Sequence, residues 1–237
     1  MIKQYKNNWL LFNLSQPCIL CGLRPPAEAQ ICQACLDDLP WIGNACLRCA
    51  EPMHHTALSF ICPQCQQKSP PFHQVITPFE YRFPIDQLVQ LAKFNGQTHY
   101  LNPLAELLSQ RLQAAPMPEL IIPVPLHSKR LQERQYNQAA LVAKHLARKL
   151  DIPFSNTLLI KTANTQHQAD LDRKARRKNL RNSFQCVGTP PTSVAVVDDV
   201  MTTGTTAAEI SRVLKQAGAQ QIYIWVIART AKELHLR

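Results

Sequence analysis

The stretch VAVVDDVMTTGTTAAEI, residues 194–210, decides the fold. Its apolar start predicts a buried strand, and an amphipathic helix is predicted from residue 205 to about 217, ending at Gly218. Between them lie two acids, Asp198 and Asp199, and a turn made almost entirely of threonine. A strand that turns directly into a helix is typical of parallel α/β sheets, in which ligands bind beyond the carboxyl ends of the strands. We therefore expect the two acids at the end of a strand, on a binding edge.

The chain from residue 71 onward alternates predicted strands and helices. Apolar runs predict strands at 74–83, 119–126, 154–160, 193–199 and 221–228. Apolar residues at helical spacing predict further helices at 85–94, 101–113 and 137–150. Asn137 is the expected N-cap of the third of these. The pattern predicts an α/β fold with a mostly parallel sheet flanked by helices, after a linker at 69–74 where two prolines and a serine occur.

The cysteines are concentrated near the start of the chain. Eight of the nine fall between positions 18 and 65, in four CxxC pairs. Each pair presents two sulfurs from one turn to a single ion, so four pairs predict two tetrahedral zinc sites. Residues 1–70 hold too few large apolar side chains for a core, and metal ligation would supply their folding energy. The expected ligands are Cys18, Cys21, Cys32, Cys35, Cys46, Cys49, Cys62 and Cys65.

The way in which the four pairs share two ions is open in the sequence. Short loop closure favours a sequential arrangement, with the first two pairs on one ion and the last two on the other. His54 and His55 are alternative ligands, and redox-active pairs or disulfides are alternatives to metal. We predict a Cys-rich zinc module over residues 1–70 and an α/β domain over residues 71–237.

Composition narrows the class of protein. A membrane-spanning helix is not expected, because no run of about 18 apolar residues occurs. A signal-peptide pattern is also lacking, so we expect a cytoplasmic location, where thiols stay reduced. The formal net charge of +10 favours phosphate-bearing partners, either nucleic acid or a small polyphosphate. Neither a Walker A motif nor a GxGxxG motif is present, which argues against an ordinary ATPase or dinucleotide enzyme.

The threonine-rich turn predicts a phosphate site. Amides and hydroxyls at a strand-to-helix turn converge on one point, where the helix dipole favours an anion. The carboxylates of Asp198 and Asp199 accept hydrogen bonds from vicinal sugar hydroxyls, so a ribose 5-phosphate would satisfy both halves of the motif. The alternative is a capped helix with surface threonines. The expected phosphate-binding residues are Thr202, Thr203, Gly204, Thr205 and Thr206.

Residues 194–206, VAVVDDVMTTGTT, resemble the phosphoribosyl pyrophosphate (PRPP) motif of type I phosphoribosyltransferases. The whole chain resembles the ComF family of competence-associated proteins, in which a zinc module precedes such a domain. Gln135 and Tyr136 depart from the family's usual glycine and phenylalanine. Besides the cysteine pairs and the PRPP motif, the shared stretches are AKFNG (92–96), PVPLHSKRLQERQYNQA (123–139) and TQHQADLDRKARRKNLRNSF (165–184).

The resemblance implies a reaction and its site. Asp198 and Asp199 would orient the ribose and stabilise positive charge at its C1 while a nucleophile displaces the diphosphate, which Mg²⁺ holds. The basic segment RKARRKNLR (173–181) would close over PRPP as a mobile loop, with a solvated loop or a nucleic-acid contact as alternatives. Further PRPP-binding residues implied by the resemblance are Leu126, His127, Ser128, Arg130, Arg134, Lys93 and Arg176.

Several of these residues also have ordinary structural explanations. Ion pairs on their own helix would equally explain Arg130 and Arg134. A charge at the end of a helix would equally explain Lys93. Both interpretations remain open at the level of sequence.

Two functions follow from the sequence and its resemblance. The first is a phosphoribosyltransferase, or at least a protein that binds Mg-PRPP, with an acceptor that the sequence does not identify. The second is an adaptor in DNA uptake, in which the zinc module docks a competence helicase, another DNA-processing protein or single-stranded DNA. The two are compatible, because a PRPP site can serve as a regulatory sensor. The oligomeric state is not indicated by any motif.

Overall fold

The computed structural model describes residues 16–24, 29–53, 59–162 and 182–231. Contacts divide the chain into two compact units, residues 1–38 and residues 39–237. Residues 39–70 were grouped with the first cysteines on the basis of composition, whereas the contacts group them with the second unit. Within the described ranges, no helix has the length and apolar character needed to cross a bilayer.

The first unit is built on two short turns. Cys18 opens one of them, and its carbonyl accepts a hydrogen bond from the Gly22 amide at 2.9 Å. Gly22 has a φ of 75°, in the left-handed region that glycine favours. The second turn leads into helix α1 (Gln33–Asp37), where the Leu36 amide donates to the Cys32 carbonyl at 2.9 Å.

The second unit contains a parallel sheet. Its strands are β1 (Gln74–Ile76), β2 (Phe79–Glu80), β3 (Leu120–Pro123), β6 (Ser193–Met201) and β7 (Gln221–Arg229). The order is β1-β7-β6-β3, with β2 also on β7, and all of these strands pair in parallel. A separate antiparallel pair is formed by β4 (Leu159–Lys161) and β5 (Phe184–Cys186).

Helices of the second unit pack on the sheet and on one another. They are α2 (Pro63–Gln67), α3 (Ile85–Phe94), α4 (Leu101–Leu112), α5 (Ser128–Arg134), α6 (Gln138–Leu150) and α7 (Thr205–Gln216). α6 covers β3 and β6 and packs against α4, while α7 packs against β5 and β7. The predicted α/β fold, with a mostly parallel sheet flanked by helices, is therefore confirmed.

The helix predictions agree closely with the structure. α3 covers the predicted residues 85–94, and α4 ends one residue earlier than expected. Asn137 caps α6 as predicted, because its side chain accepts a hydrogen bond from the Ala139 amide at 3.0 Å. The same side chain donates to the Val124 carbonyl at 2.9 Å and so ties α6 to the end of β3. The short helices α1, α2 and α5 were not predicted, since five to seven residues carry little periodicity.

The strand boundaries differ more from the prediction. The expected strand at 74–83 is divided into β1 and β2 at Pro78, which has no N–H to continue a ladder. The expected strand at 154–160 is reduced to β4, and that at 119–126 ends at Pro123. β6 is longer than expected and runs to Met201, because Val200 and Met201 still pair with β7. Asp198 and Asp199 lie in the last part of this strand, as predicted, and two further residues of the strand follow them.

Candidate phosphate site and paired cysteine clusters

Asp198 and the threonine-rich turn line one pocket at the carboxyl end of β6. The cavity has a volume of about 40 Å³, and apolar side chains of β6 and β7 form its floor. Gly204 caps α7 with a φ of 74°, and a Cβ added there would lie 2.5 Å from the Met201 Cε atom. Glycine is thus favoured at this position both by its backbone conformation and by the close approach. The polar lining consists of the predicted residues Asp198, Thr202, Thr203, Thr205 and Thr206.

The start of α7 faces this pocket, and the Thr203 hydroxyl accepts a hydrogen bond from the Thr205 amide at 3.4 Å. Gly204 supplies no side-chain oxygen to the first turn of the helix. The hydroxyls of Thr203 and Thr205 lie 2.8 Å apart and bond to each other. Amides at such a helix start, together with the helix dipole, attract an anion. Phosphate binding at this turn stays a prediction.

Asp199 does not line the pocket. Successive side chains of a strand point to opposite faces, and the side chain of Asp199, the residue 7% exposed, turns away from that of Asp198. It forms an ion pair with Lys93 at the end of α3, with Nζ 3.0 Å from Oδ2. Lys93 thus reaches the carboxylates from a helix 106 residues away in sequence, which goes beyond a helix-end charge.

The charges around the two aspartates are strongly coupled. Burial lowers the pKa of Lys93, but the carboxylates of Asp199 and Asp198 outweigh this effect and leave that pKa above its ordinary value. Burial and the charge of Asp199 raise the pKa of Asp198 to about 7, against the opposing effects of Lys93 and Lys161. Near neutral pH, Asp198 therefore changes between a neutral acid that can donate a hydrogen bond and an anion that accepts one.

Lys161 is a neighbour of this site that the sequence analysis missed. It ends β4, and its ammonium lies 5.6 Å from the centroid of the Phe184 ring. Burial, together with the charge of Arg130, lowers the pKa of Lys161, while Asp198 opposes that shift. Its place just before the basic segment 173–181 was the available signal. That segment, with the predicted PRPP-binding residue Arg176, lies outside the described residues.

The predicted diphosphate residues lie between β3 and the end of α5. Leu126 is in the connection, and His127 caps α5 by accepting a hydrogen bond from the Lys129 amide at 3.3 Å. Ser128 is the first residue of α5, and its contact with a diphosphate stays a prediction. Gln135 stands where the family usually has glycine and takes a φ of 65°, so the turn keeps a left-handed conformation.

The two arginines of α5 differ in their surroundings. Arg134 lies over the Phe94 ring, 5.4 Å from its centroid, and thus beside the neighbouring Lys93. Arg130 acts on Lys161 through its charge. Within the described residues, no carboxylate forms an ion pair with either arginine. Pairing on their own helix face is therefore not what places them.

The eight predicted ligands form two clusters of four sulfurs. The first cysteine cluster is Cys18, Cys21, Cys32 and Cys35, and the second cysteine cluster is Cys46, Cys49, Cys62 and Cys65. In each cluster the ligand atoms lie within 4.8 Å of one another. This grouping confirms the sequential arrangement of the CxxC pairs. His54 and His55 lie outside the described residues.

The sulfur geometry fits a tetrahedral zinc ion. Four Zn–S bonds of about 2.3 Å imply S···S separations of about 3.8 Å. The Cys21–Cys32 and Cys49–Cys62 sulfurs are 3.7 and 3.6 Å apart. In both clusters the amide of the third cysteine also donates to the sulfur of the first, at 3.4 Å for Cys32 and 3.3 Å for Cys62. The two sites share one design, and both suit zinc.

Comparisons with known proteins support this arrangement. Residues 10–66 match the family model of the double zinc ribbon domain. The chain is 34% identical over 226 residues to competence protein F of Haemophilus influenzae, with 90% of this chain and 96% of the relative covered. It is 32% identical over 222 residues to DNA utilization protein YhgH of Salmonella typhi, with the same coverage. Competence protein ComFC of Bacillus subtilis is 23% identical, with 81% and 80% covered.

Similar solved structures are phosphoribosyltransferases. The purine phosphoribosyltransferase of Pyrococcus horikoshii has a TM-score of 0.35 and 18% identity, with 55% of this chain and 82% of that chain covered. The adenine phosphoribosyltransferase of Leishmania tarentolae has a TM-score of 0.35 and 15% identity, with 59% and 74% covered. The family assignment rests on the sequence relatives: since relatives more than 30% identical match 90% of its length, the chain belongs to the ComF family of competence and DNA utilization proteins.

Proposed function

We propose that the protein binds PRPP at the Asp198 pocket and acts in DNA uptake or utilisation. The observation that carries the first part is that one pocket, at the carboxyl end of a parallel strand, holds both a carboxylate and a helix start lined with threonines. The names of the relatives, competence protein F and DNA utilization protein, support the second part. A cytoplasmic location belongs to the same proposal.

In this proposal the two aspartates have different tasks. The 5-phosphate occupies the turn before α7, and Asp198 accepts hydrogen bonds from the ribose hydroxyls. Asp199 remains with Lys93, and this ion pair fixes the position of the lysine beside the site. Lys161 adds positive charge near Asp198, and the charge of Arg130 acts on Lys161 in turn. Mg²⁺ bound with the ligand supplies further charge neutralisation for the diphosphate.

A transfer reaction at this site requires charge stabilisation more than proton transfer. As diphosphate leaves C1 of the ribose, positive charge develops on the ring and negative charge on the leaving group. The ionised Asp198 stabilises the ring, and the cations of Lys161 and Arg130 stabilise the leaving group. The expected activity therefore increases as Asp198 loses its proton, around pH 7.

Calorimetry with Mg-PRPP tests the proposal. Asp198→Asn removes a charge-assisted acceptor worth roughly 1.5–3 kcal/mol, so PRPP should bind about 10- to 150-fold more weakly. Asp151→Asn is a matched control. It removes a carboxylate just after the end of α6. The nearby Pro153 carbonyl accepts a hydrogen bond from the Ile121 amide of β3 and not from the site. Equal PRPP affinity in wild type and Asp198→Asn, or no binding to either, would reject the site. A turnover screen over nucleobases and ammonia then identifies the acceptor.

The second candidate is a DNA-processing adaptor in which the PRPP site is regulatory or vestigial. The Lys93–Asp199 ion pair favours it, because one of the two acids is already occupied, and so does the net charge of +10. A salt titration of single-stranded DNA binding tests it, since the slope reports the number of phosphate contacts. A steep slope that Asp198→Asn leaves unchanged supports the adaptor. A slope near zero rejects direct DNA binding and leaves docking of a helicase as the adaptor function.

A further inference from the structure

Arg229, at the end of β7, is a buried cation outside the lining of the pocket. It is 1% exposed. Its Nη1 group donates to the Met201 carbonyl at 3.0 Å, to the Thr202 carbonyl and to the Thr230 carbonyl at 2.6 Å. Met201 ends β6 and Thr202 begins the threonine-rich turn. One edge of the guanidinium therefore bonds to the carbonyls of two residues, Met201 and Thr202, that line the pocket.

The other nitrogens of the guanidinium bond to residues of the second cysteine cluster and its turn. Nη2 lies 2.5 Å from Oε2 of Glu51, and Nε donates to the Cys49 carbonyl at 3.2 Å. Glu51 is itself 8% exposed, so a fully buried ion pair joins two regions that are 178 residues apart in sequence. Isolated buried charges are costly, and this one is retained with a hydrogen-bond partner for each nitrogen.

The position of Glu51 depends on the cysteine turn. The Cys46 amide donates to the Glu51 carbonyl at 2.9 Å, and the Ala50 amide donates to the Cys46 carbonyl at 2.9 Å. Ala50 takes a φ of 52°, a left-handed conformation that a non-glycine residue adopts only in a tightly held turn. Ligation of Cys46 and Cys49 to one ion would hold this turn closed.

The position of the threonine-rich turn depends in a similar way on Met201. The Met201 carbonyl also accepts a hydrogen bond from the Thr230 amide at 3.0 Å. The Cε atom at the end of the Met201 side chain would lie 2.5 Å from a Cβ added at Gly204, so the two residues are close neighbours. The Gly204 carbonyl in turn accepts from the Ala208 amide at 2.9 Å, in the first turn of α7. A shift of Met201 therefore reaches the amides that line the pocket.

We propose that Arg229 is a positioning residue that couples metal binding at the second cysteine cluster to the shape of the phosphate pocket. Metal holds the Cys46–Cys49 turn, that turn holds Glu51, and Glu51 orients Arg229 on the carbonyls of Met201 and Thr202. The inference rests on the proposed function for its ligand. Because coupling is reciprocal, a bound phosphate ligand also raises the affinity of this cluster for metal.

Arg229→Lys tests the coupling in the full-length protein. Lysine keeps a positive charge beside Glu51 but lacks the planar fork that bonds several carbonyls at once. We expect hydrogen exchange at the Ala208 amide to accelerate at least tenfold and PRPP to bind about tenfold more weakly, with the metal content unchanged. Arg212→Lys, at the half-exposed partner of Glu209 on α7, is the matched control and should change neither. If Arg229→Lys unfolds the protein, the double variant Glu51→Leu with Arg229→Met removes the pair without leaving a buried charge, and the same effects are expected.

The metal arm of the test compares the two clusters. Cys62→Ser should lose one metal equivalent and reproduce the fast exchange at Ala208, whereas Cys32→Ser should lose one equivalent and leave that exchange at the wild-type rate. If Cys62→Ser does not fold, Glu51→Gln keeps all four ligands and should accelerate the exchange at Ala208. Wild-type exchange at Ala208 in Arg229→Lys, or equal acceleration in Cys62→Ser and Cys32→Ser, would overturn the inference. Exchange needs no ligand, so the coupling is tested even if PRPP proves not to bind.

Discussion

The two cysteine clusters have the same ligand spacing and sulfur geometry but very different surroundings. In the first cysteine cluster one residue, Cys18, is buried and Cys21 is exposed. In the second cysteine cluster all four residues are buried, and they share a core with side chains of β6, β7 and α7. The same cysteine motif can therefore be a local cross-link in one place and part of a domain core in another.

The difference predicts different roles in stability. In the described part of the first unit, the buried apolar side chains are Cys18 and Ile31, too few to stabilise a fold alone. Metal ligation has to provide most of the folding free energy there. Around the second cluster, Ile42, Phe72 and Val75 add apolar burial that continues into the sheet. Metal and core packing act together in that region.

The largest expected effect follows loss of metal from the second cluster. Cys62→Ser leaves three buried sulfurs and an incomplete site, so the unit of residues 39–237 should lose about 3–5 kcal/mol or more of unfolding free energy, comparable to breaking a buried ionic site. Elemental analysis should find two zinc equivalents in wild type and one in the variant, and urea unfolding of the sheet should shift strongly. An unchanged urea-unfolding transition of the sheet would show that this cluster, too, is only a local cross-link.

A smaller effect is expected at the phosphate turn. Gly204→Ala forces a left-handed conformation on alanine and displaces the Met201 side chain, which should cost about 1–2 kcal/mol. If the turn and the second cluster form one unit, this variant should also release the metal of the second cluster faster to a chelator. Release from the first cluster should stay at the wild-type rate. Equal acceleration at both clusters would contradict the distinction between them.

The pH dependence of stability should distinguish the second unit. Unfolded aspartate has a pKa of about 3.9, while burial and Asp199 raise the pKa of folded Asp198 to about 7. The folded state binds more protons in between, so this contribution to stability is complete below about pH 4 and is lost as pH rises through 7. Lys93 and Lys161 face the same carboxylate and moderate the effect.

Unfolding curves of wild type and Asp198→Asn measure this contribution. Relative to the variant, the unfolding free energy of the wild type should fall by up to about 1.4 kcal/mol per pH unit between pH 4 and 7, and should level off above pH 8. Asp151→Asn should keep the wild-type slope. A difference between wild type and Asp198→Asn that stays constant from pH 5 to 8 would contradict the raised pKa.

The smallest expected effect completes the comparison. Cys32→Ser should remove one zinc equivalent and the structure of the first unit, yet change the unfolding free energy of the sheet by less than about 0.5 kcal/mol, as expected for independent sites. Far-ultraviolet dichroism and urea unfolding of the full chain provide the measurement. A loss of sheet stability comparable to that in Cys62→Ser would mean that the first cluster also contributes to the core.

Local patterns predicted much of this molecule correctly. The helical spacing of apolar residues placed α3 and α6, and the side chain of Asn137 caps α6 as expected. CxxC spacing and short loop closure predicted both sulfur clusters with their pairing. These features depend on interactions within a few residues or within short loops, which are visible in a linear sequence.

The strand boundaries were harder to predict. Pro78 divides the first predicted strand, while β6 continues to Met201 because β7 offers it partners. Asp198 and Asp199 both lie within β6, where alternate side chains face opposite sides. The sequence pattern suggested one pair of carboxylates for one sugar, but the structure separates them.

Short-range spacing and similarity along the whole chain were enough to predict the α/β class, the two sets of sulfur ligands and the family. The folded chain was needed to show which acid lines the pocket, which one pairs with Lys93, and that Arg229 joins Glu51 to the threonine-rich turn. The Lys93–Asp199 and Arg229–Glu51 contacts link residues more than 100 positions apart. Their partners are selected by strand register and burial, which exist only once the chain has folded.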